Sequence, residues 1–303
     1  MKSHFLIPLL LIGIIACNQK KTTNKILLAT PEEQPISAFP YLPPSPQNGT
    51  LKGIIELGGS GFNAFIVEID AKKRWKLQSA DFGKSEVYED KADGKKIRSG
   101  LETFIQKLRK DGVANKDIHF IQSSTATGNE RVQQINGILN QMGYQINSVT
   151  TDQEAKYGYL ATMPNEFADE SFYVDMGSGN TKIAWKENGE IKTISTYGSK
   201  YYVDEVSHEI VYAEVKALLA QIPTKNLERC FIIGGGPYMM AEKNKEFTER
   251  YGILKSPDAY DFDSEKLKCA LNIYKAMLDG SDQKTDYLFD WEGNFSIGFL
   301  LQL

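Results

Sequence analysis

A short pattern occurs twice in the sequence and constrains the fold more than any other feature. The stretch IIELGGSGFNAFIVEID, starting at Ile54, has an apolar run that ends in an acidic residue, then a glycine-rich turn and a second apolar run. The same order returns in FYVDMGSGNTKIAWKENGEIKTIST, starting at Phe172, so that Asp175 follows Glu56 by 119 positions. Apolar runs separated by Gly and Asn-Gly turns predict a meander of antiparallel strands in each copy. A unit that occurs twice predicts two similar lobes.

Helical and strand patterns alternate after each meander. In the first half we predict helices over 97–110, 130–142 and 153–163 and strands over 118–124 and 146–150. In the second half we predict helices over 203–221, 238–250 and 267–278 and a strand over 230–236. The pattern indicates an α/β fold with two lobes, residues 51–165 and 166–303, each a mixed five-stranded sheet with helices. The C-terminal segment either stays with the second lobe or returns to the first, and the cleft between the lobes is the expected ligand site.

The N-terminus has the features of an export signal. Lys2 precedes FLIPLLLIGIIA, which is shorter than the ~20 residues of a transmembrane helix. The run ends in IIAC, which resembles a bacterial lipobox, so residues 1–17 are predicted to be a lipoprotein signal peptide with Cys17 as the lipidated residue. We expect the proline-rich residues 18–50 to be a tether, and the protein to be exported and lipid-anchored to a bacterial membrane in the cell envelope. The alternative is an ordinary signal peptide or a buried apolar N-terminus.

Composition excludes several function classes. A net charge of −4 argues against a nucleic-acid binder, which normally has a basic face. The chain has three histidines without metal-ligand spacing, which argues against a zinc site or a Ser-His-Asp triad. Cys230 and Cys269 are interpreted as free core thiols. The alternative, in an exported protein, is a disulfide between the two.

The two glycine turns resemble the phosphate loops of the Ppx/GppA family, the exopolyphosphatases and guanosine pentaphosphate phosphohydrolases of the actin-like ATPase superfamily. That family's loops read approximately D-L-G-S-N-S-F and D-I-G-G-G-S-T-E, against ELGGSGF from Glu56 and DMGSGNTK from Asp175. STA at 124–126 and QEAK at 153–156 resemble the family's T-S-A and E-E-A-R elements. The resemblance spans Ile54 to about Leu278 and implies two actin-like (ribonuclease H-like) lobes.

A second family resemblance stays open. SSTATGNER and DQEAKYGYLA also resemble elements of the apyrases, the nucleoside triphosphate diphosphohydrolases, which share the two-lobe fold. Apyrases are usually longer than the folded part of this chain, which favours Ppx/GppA. An apyrase-like nucleotidase is therefore an alternative.

Glycine turns of this kind suit phosphate, because backbone N–H groups can approach an anion closely where no Cβ intervenes. Two such turns facing each other would hold a phosphate chain. The predicted phosphate-binding residues are Gly58, Gly59, Ser60, Gly61, Gly177, Ser178, Gly179, Asn180, Thr181 and Arg131. A nucleotide contact at Gly234, Gly235 and Gly236 is a further candidate.

The carboxylates at the strand ends suit Mg²⁺, which takes oxygen ligands together with substrate phosphates. Glu56 and Asp175 are the predicted ligands. The resemblance places the catalytic glutamate, which would activate water, near Glu154, and Glu130 is the second candidate. The family normally has Asp where this chain has Glu56, and tends to have Glu where this chain has Lys182. Lys182 is expected either to contact substrate or to be exposed.

These observations predict a phosphoanhydride hydrolase. The resemblance implies Mg²⁺-dependent removal of phosphate from polyphosphate or from the phosphate tail of a nucleotide. The departures at Glu56 and Lys182 motivate the alternative of a lipid-anchored binding protein that kept the fold and lost turnover.

Overall fold

The computed structural model describes residues 39–58, 62–83, 93–243 and 249–303 of the chain. Two β-sheets form the framework of this part. The first sheet has the strand order β3-β2-β1-β4-β5. Strands β1 to β3 are antiparallel neighbours, and β4 and β5 run parallel to β1. The strands are β1 (Thr50–Leu57), β2 (Phe62–Ile69), β3 (Trp75–Gly83), β4 (Ile118–Gln122) and β5 (Ile146–Ser148).

The second sheet repeats this order and adds one strand. Its order is β10-β11-β9-β6-β7-β8, in which β6, β7 and β8 form the meander and β9 and β11 are the parallel strands. The strands are β6 (Ser171–Met176), β7 (Asn180–Glu187), β8 (Glu190–Tyr197), β9 (Arg229–Ile233), β10 (Tyr251–Ile253) and β11 (Asp286–Asp290). The prediction of five strands for this lobe is one short. No strand was predicted at β10, which has only three residues and shows no alternation, or at β11.

Seven α-helices lie in the described part of the chain, and most begin at a capping side chain. Ser207 accepts from the Ile210 amide and so starts the fourth helix at His208, after Glu205 adopts a left-handed φ of 56°. The predicted helix over 203–221 is therefore shorter than expected. The helices are α1 (Gly94–Lys110), α2 (Glu130–Gln141), α3 (Thr151–Thr162), α4 (His208–Leu219), α5 (Gly235–Glu242), α6 (Glu265–Gly280) and α7 (Phe295–Leu300).

The region around Gly234 differs from the sequence prediction. The predicted strand over 230–236 ends at Ile233, because Gly234 has a φ of 113° and precedes α5. Only a glycine allows this conformation at low cost. In place of the predicted helix over 238–250, α5 starts three residues earlier and ends at Glu242. Residues 244–248 lie outside the description, and β10 follows the predicted range.

Helix α3 packs on the second sheet and on α7, and so lies between the two sheets. A Cβ added at Gly158 of α3 would overlap the hydroxyl of Tyr173 in β6, so the helix backbone lies close to the second sheet. A Cβ added at Gly298 of α7 would overlap the Tyr157 carbonyl in the same way. Helix α7 in turn packs on the first sheet through Phe295, Ile297, Phe299 and Leu300. The C-terminal segment therefore contacts the first sheet.

The residues before β1 pack on the second sheet. Phe39 makes edge-on ring contacts with Phe167, Phe231 and Tyr251, and Tyr41 donates to Glu166. Of the predicted tether, residues 39–50 are thus part of the folded unit, whereas residues 18–38, the predicted signal peptide and Cys17 lie outside the description. None of the described helices is both long and apolar enough to span a bilayer. Cys230 and Cys269 are buried free thiols.

Candidate functional site

The two acidic residues of the sequence repeat lie at equivalent places in the two sheets. Glu56 is the penultimate residue of β1, and Asp175 is the penultimate residue of β6. Both side chains are buried. Helix α3 adds Glu154, which is completely buried. The fold therefore places three carboxylates at or near the strand ends.

Lys182 joins two of these carboxylates through one ammonium group. Its Nζ lies 2.8 Å from Glu154 Oε2 and 3.0 Å from Asp175 Oδ2. The side chain is only 7% exposed, so Lys182 is a buried cation. The Ser124 amide donates to the other oxygen of Glu154. The predicted base and a predicted metal ligand thus share a protein cation.

Strand pairing explains why Lys182 lies here. It is directly opposite Asp175 in the antiparallel pairing of β6 with β7, so the two side chains point to the same face of the sheet. Burial alone would lower the pKa of Lys182, but the charges of Asp175 and Glu154 outweigh burial and raise this pKa above its ordinary value. The lysine is therefore charged at neutral pH.

Glu56 has different surroundings. Its Oε2 accepts hydrogen bonds from Asn63 Nδ2 at 3.2 Å and from Ser296 Oγ at 3.0 Å. Burial raises the pKa of Glu56 to about 7, and the negative charges of Glu154 and Asp175 act in the same direction, while the two hydrogen bonds oppose the shift. Glu56 therefore keeps its proton to a higher pH than an exposed glutamate does.

A Mg²⁺ ion held by Glu56 and Asp175 does not fit these surroundings. Mg²⁺ requires several oxygen ligands in near-octahedral geometry. Asp175 Oδ2 is instead within ion-pair distance of the Lys182 ammonium, and Glu56 Oε2 accepts two hydrogen bonds. The residues present suit a fixed ammonium between Asp175 and Glu154 better than a divalent ion.

The second glycine turn is tightly organised. The Gly177 amide donates to the Asn180 carbonyl at 3.0 Å, and the amides of Ser199 and Lys200 donate to the carbonyls of Gly177 and Ser178 at 3.0 and 2.9 Å. Gly198 permits this close approach, since a Cβ there would overlap the turn backbone. Within the described ranges, no hydrogen bond engages the amides of Ser178 or Gly179. Ser178 is half-buried and Gly179 is exposed, so both amides remain available to an anion.

The turn also meets elements of the first half of the chain. Asn180 Nδ2 donates to Thr151 Oγ1 at 3.5 Å, and Thr151 donates to Ser124 Oγ at 3.4 Å. A Cβ added at Gly179 would lie 3.0 Å from the Thr125 methyl group. The Asn180 Oδ1 and Thr181 Oγ1 atoms are buried and have no hydrogen-bond partner among the described residues. Ser124, Thr125 and Thr151 therefore line the site, although no role was predicted for any of them.

Other predicted site residues are residues 58–61 and the pair Glu130 and Arg131. Gly58 is half-buried after β1, and Gly59, Ser60 and Gly61 lie outside the description. Glu130 is exposed at the start of α2, and Arg131 Nη1 donates to Gln134 within that helix. These two residues are thus on a helix surface, whereas Glu154 is buried in a cluster with Lys182 and Asp175, the Lys182 cluster.

The Gly234–Gly236 run has two structural roles. A Cβ at Gly234 would overlap the Met176 carbonyl of β6, and a Cβ at Gly236 would lie 2.5 Å from the Ala270 Cβ in α6. Gly235 alone has open space around it. Close packing of α5 accounts for two of the three glycines.

Among the residues that the structure describes, packing also creates a group of potential metal ligands that sequence spacing does not reveal. His208 begins α4, while Glu265 and Cys269 are one turn apart on α6, and their ligand atoms lie within 4.8 Å of one another. The Tyr201 hydroxyl is 2.5 Å from His208 Nδ1. Spacing along the chain was therefore not sufficient to exclude such a group. None of its members belongs to the Lys182 cluster.

Solved structures match this architecture. A Ppx/GppA family member from Aquifex aeolicus has a TM-score of 0.61 and 14% sequence identity, over 84% of this chain and 97% of its own. An exopolyphosphatase from Cytophaga hutchinsonii has a TM-score of 0.60 and 14% identity, over 83% and 96%. The chain has the Ppx/GppA fold. No protein-family model and no curated protein matches the sequence itself.

The Ppx/GppA fold confirms the predicted fold class and, at the level of fold, the predicted resemblance to that family. A PPX-GPPA enzyme from Aquifex aeolicus gives a TM-score of 0.63 over 84% of this chain and 99% of its own, at 12% identity. At such identity, fold is what the chains share. The chemistry of this member of the fold must therefore be inferred from its own residues.

Proposed function

We propose that the protein binds the phosphate chain of a phosphoanhydride at the 177–180 turn and removes phosphate from it by hydrolysis, as a hydrolase of the Ppx/GppA type. Inorganic polyphosphate and the phosphate tail of a nucleotide are the two candidate substrates. The observation that carries the proposal is the juxtaposition of two available amides, at Ser178 and Gly179, with a buried cation. A Cβ at Gly177 would lie 3.4 Å from Lys182 Nζ, so the ammonium reaches the turn.

This arrangement suits phosphate for two physical reasons. Amides that donate to no protein acceptor can bind phosphate oxygens without breaking existing hydrogen bonds. An ammonium in a poorly hydrated site interacts with an anion more strongly than it would in water. Phosphoryl transfer depends mainly on such positioning and charge stabilisation.

Glu154 is the proposed base. Its carboxylate pairs with Lys182, and a phosphate at the turn would compete with Glu154 for that ammonium. Once released, Glu154 would accept a proton from water as the water oxygen bonds to phosphorus and the bridging P–O bond breaks. The phosphate chain would leave shorter by one unit, and inorganic phosphate would be the second product.

Phosphate release from inorganic tripolyphosphate and from ATP tests this proposal on the full chain. Glu154→Gln should reduce the rate at least 100-fold, because general-base catalysis typically contributes that much. Asp152→Asn is the matched control, since Asp152 is on the same helix but exposed. No release from either compound by correctly folded protein would refute the hydrolase.

The second candidate is a binding protein without turnover. One observation favours it: Lys182 pairs with both Asp175 and Glu154, so neither carboxylate is free in this structure. Binding of tripolyphosphate measured by calorimetry, together with no phosphate release, would support this candidate. We further propose that the protein is exported and lipid-anchored through Cys17, which labelling with a radioactive fatty acid and loss of the label in Cys17→Ser would test.

A further inference from the structure

We propose that the ammonium of Lys182 is the resident cation of this site and takes the place of a divalent metal ion between Asp175 and Glu154. The inference deepens the proposed function and rests on it for the identity of the ligand. It predicts that the protein binds a phosphate chain without Mg²⁺. The placement of the cation itself follows from the carboxylate cluster alone.

The first support is the geometry of the cluster. Lys182 Nζ is within 3.0 Å of an oxygen of each carboxylate, and all three side chains are buried. A lysine on a surface strand face would normally extend into water. A buried ammonium is retained only where opposite charge and hydrogen bonds compensate for lost hydration, as they do here.

The Lys182 ammonium also excludes a metal ion from the cluster by electrostatic repulsion. A metal ion bound to Asp175 would lie beside the Lys182 ammonium, and like charges repel strongly in a poorly hydrated environment. Each Glu154 oxygen already has a protein partner, because one pairs with Lys182 and the other accepts from the Ser124 amide. Binding of a divalent ion would therefore require the lysine to leave.

The third support is the position of the cation relative to the turn. Lys182 is anchored opposite Asp175 by strand pairing, and its Nζ approaches the Gly177 backbone. A phosphate at the amides of Ser178 and Gly179 would meet positive charge from this side. Because the cation is covalently part of the chain, chelators cannot remove it.

Direct measurement of metal binding tests the inference without any assay of activity. Mn²⁺ is the probe, since its free ion gives an electron paramagnetic resonance signal that disappears on binding. The full-length wild-type chain should not bind Mn²⁺ at this site. Lys182→Ala removes the ammonium and leaves Asp175 and Glu154 facing a space, so this variant should bind one Mn²⁺ at least tenfold more tightly than wild type.

A matched control is available on the same strand. Lys186 lies four residues further along β7 and pairs with the exposed Asp169, so Lys186→Ala also removes a lysine from an ion pair. This control should bind Mn²⁺ no better than wild type. The triple variant Lys182→Ala, Asp175→Asn, Glu154→Gln should lose the gained site, which would assign the ion to this cluster.

Stability offers a second measurement. Mn²⁺ or Mg²⁺ should raise the melting temperature of Lys182→Ala by several degrees and leave that of wild type unchanged. If Lys182→Ala does not fold, the triple variant, which has no buried carboxylate at positions 154 and 175, should fold without metal. If neither variant folds, charge compensation of Asp175 and Glu154 does not explain why the fold needs Lys182. That outcome would overturn the inference.

The outcomes separate this inference from the proposed function. Stoichiometric, micromolar Mn²⁺ binding by wild type that the substitution Asp175→Asn abolishes would overturn the inference and leave phosphate binding possible. Conversely, the expected Mn²⁺ results without tripolyphosphate binding, in EDTA or in Mg²⁺, would refute the proposed function and retain Lys182 as the resident cation. Tripolyphosphate binding in EDTA within threefold of that in Mg²⁺ would support both.

Discussion

Lys182 lies directly opposite Asp175 in the pairing of β6 with β7, and its ammonium is 3.0 Å from the Asp175 carboxylate. The same ammonium is 2.8 Å from Glu154 on α3, an element of the first half of the chain. One side chain therefore connects the second glycine turn to the helix that lies between the two sheets.

Loss of the Lys182 ammonium should destabilise the fold. Lys182→Ala leaves two buried carboxylates without a counter-charge, and breaking a buried ion pair in this way costs about 3–5 kcal/mol. The measurement is the free energy of urea-induced unfolding at pH 7. Lys186→Ala, which removes an exposed pair, should cost less than about 1 kcal/mol. Equal losses in the two variants would contradict the buried pairing.

Glu56 should make stability decrease as pH rises. Its pKa is about 7 in the folded protein, above its ordinary value of 4.5, so the folded state holds the proton more tightly than the unfolded state. The stabilising contribution is complete below pH 4.5 and is lost as pH rises to about 7. Glu56→Gln keeps an oxygen that can accept from Asn63 and Ser296 but cannot ionise.

The Glu56→Gln variant should therefore be more stable than wild type at pH 8, by up to about 3 kcal/mol, and should show little difference at pH 4.5. Urea unfolding of both proteins at the two pH values measures this. If the difference in unfolding free energy between the two proteins is the same at both pH values, ionisation of Glu56 does not cause that difference. Glu68→Gln is a control, since Glu68 is on the adjacent strand β2 and outside the cluster.

The close approach of α3 to β6 should be sensitive to a single methyl group. In Gly158→Ala the added Cβ would overlap the Tyr173 hydroxyl, which is buried and has no hydrogen-bond partner among the described residues. We expect a loss of about 1–3 kcal/mol from overpacking, measured by urea unfolding. Because α3 carries Glu154, the proposed base, the variant should also release phosphate from tripolyphosphate more slowly.

Two further variants separate overpacking from a general effect of alanine. Tyr173→Phe removes the overlapping oxygen, so in combination with Gly158→Ala it should restore part of the lost stability. Gly137→Ala on α2 is the matched control, because no atom lies within 4 Å of its added Cβ. That substitution should stabilise the protein by up to about 1 kcal/mol. Additive effects of the substitutions at 158 and 173 would exclude direct overlap.

Arg250 should be a second buried charge on which stability depends. Its guanidinium donates to both oxygens of Asp290 at 2.9 and 2.8 Å, donates to the Ala161 carbonyl at the end of α3, and stacks 4.3 Å from the Trp75 ring of β3. Burial alone would lower its pKa, but Asp290 outweighs burial and raises this pKa. The residue thus links both sheets to α3.

Arg250→Lys keeps the charge but cannot reproduce the two parallel hydrogen bonds, so it should still lose about 1–3 kcal/mol of unfolding free energy. Arg250→Met, which leaves Asp290 buried and unpaired, should lose about 3–5 kcal/mol. Arg229→Lys is the control, because Arg229 and its partner Glu170 are partly exposed. If Arg250→Lys is as stable as wild type, the bidentate geometry is not important.

The sequence by itself determined the repeated meander and the α/β class. These features depend on local periodicity and on turn residues, which act over a few positions along the chain. The periodic helices α1, α2 and α6 were predicted within one to three residues of their observed limits for the same reason. By contrast, β10 and α7 are too short to show a period, and packing against distant elements fixes them.

Only the tertiary structure decided what the acidic repeat does. The sequence placed Glu56 and Asp175 at equivalent strand ends. It could not show that Lys182, seven positions after Asp175, pairs with the carboxylates of both Asp175 and Glu154. Strand register and the close approach of α3 through Gly158 create that contact. Charge pairing in a buried site depends on distances between elements far apart in the chain, and such distances exist only after the two sheets and α3 have packed together.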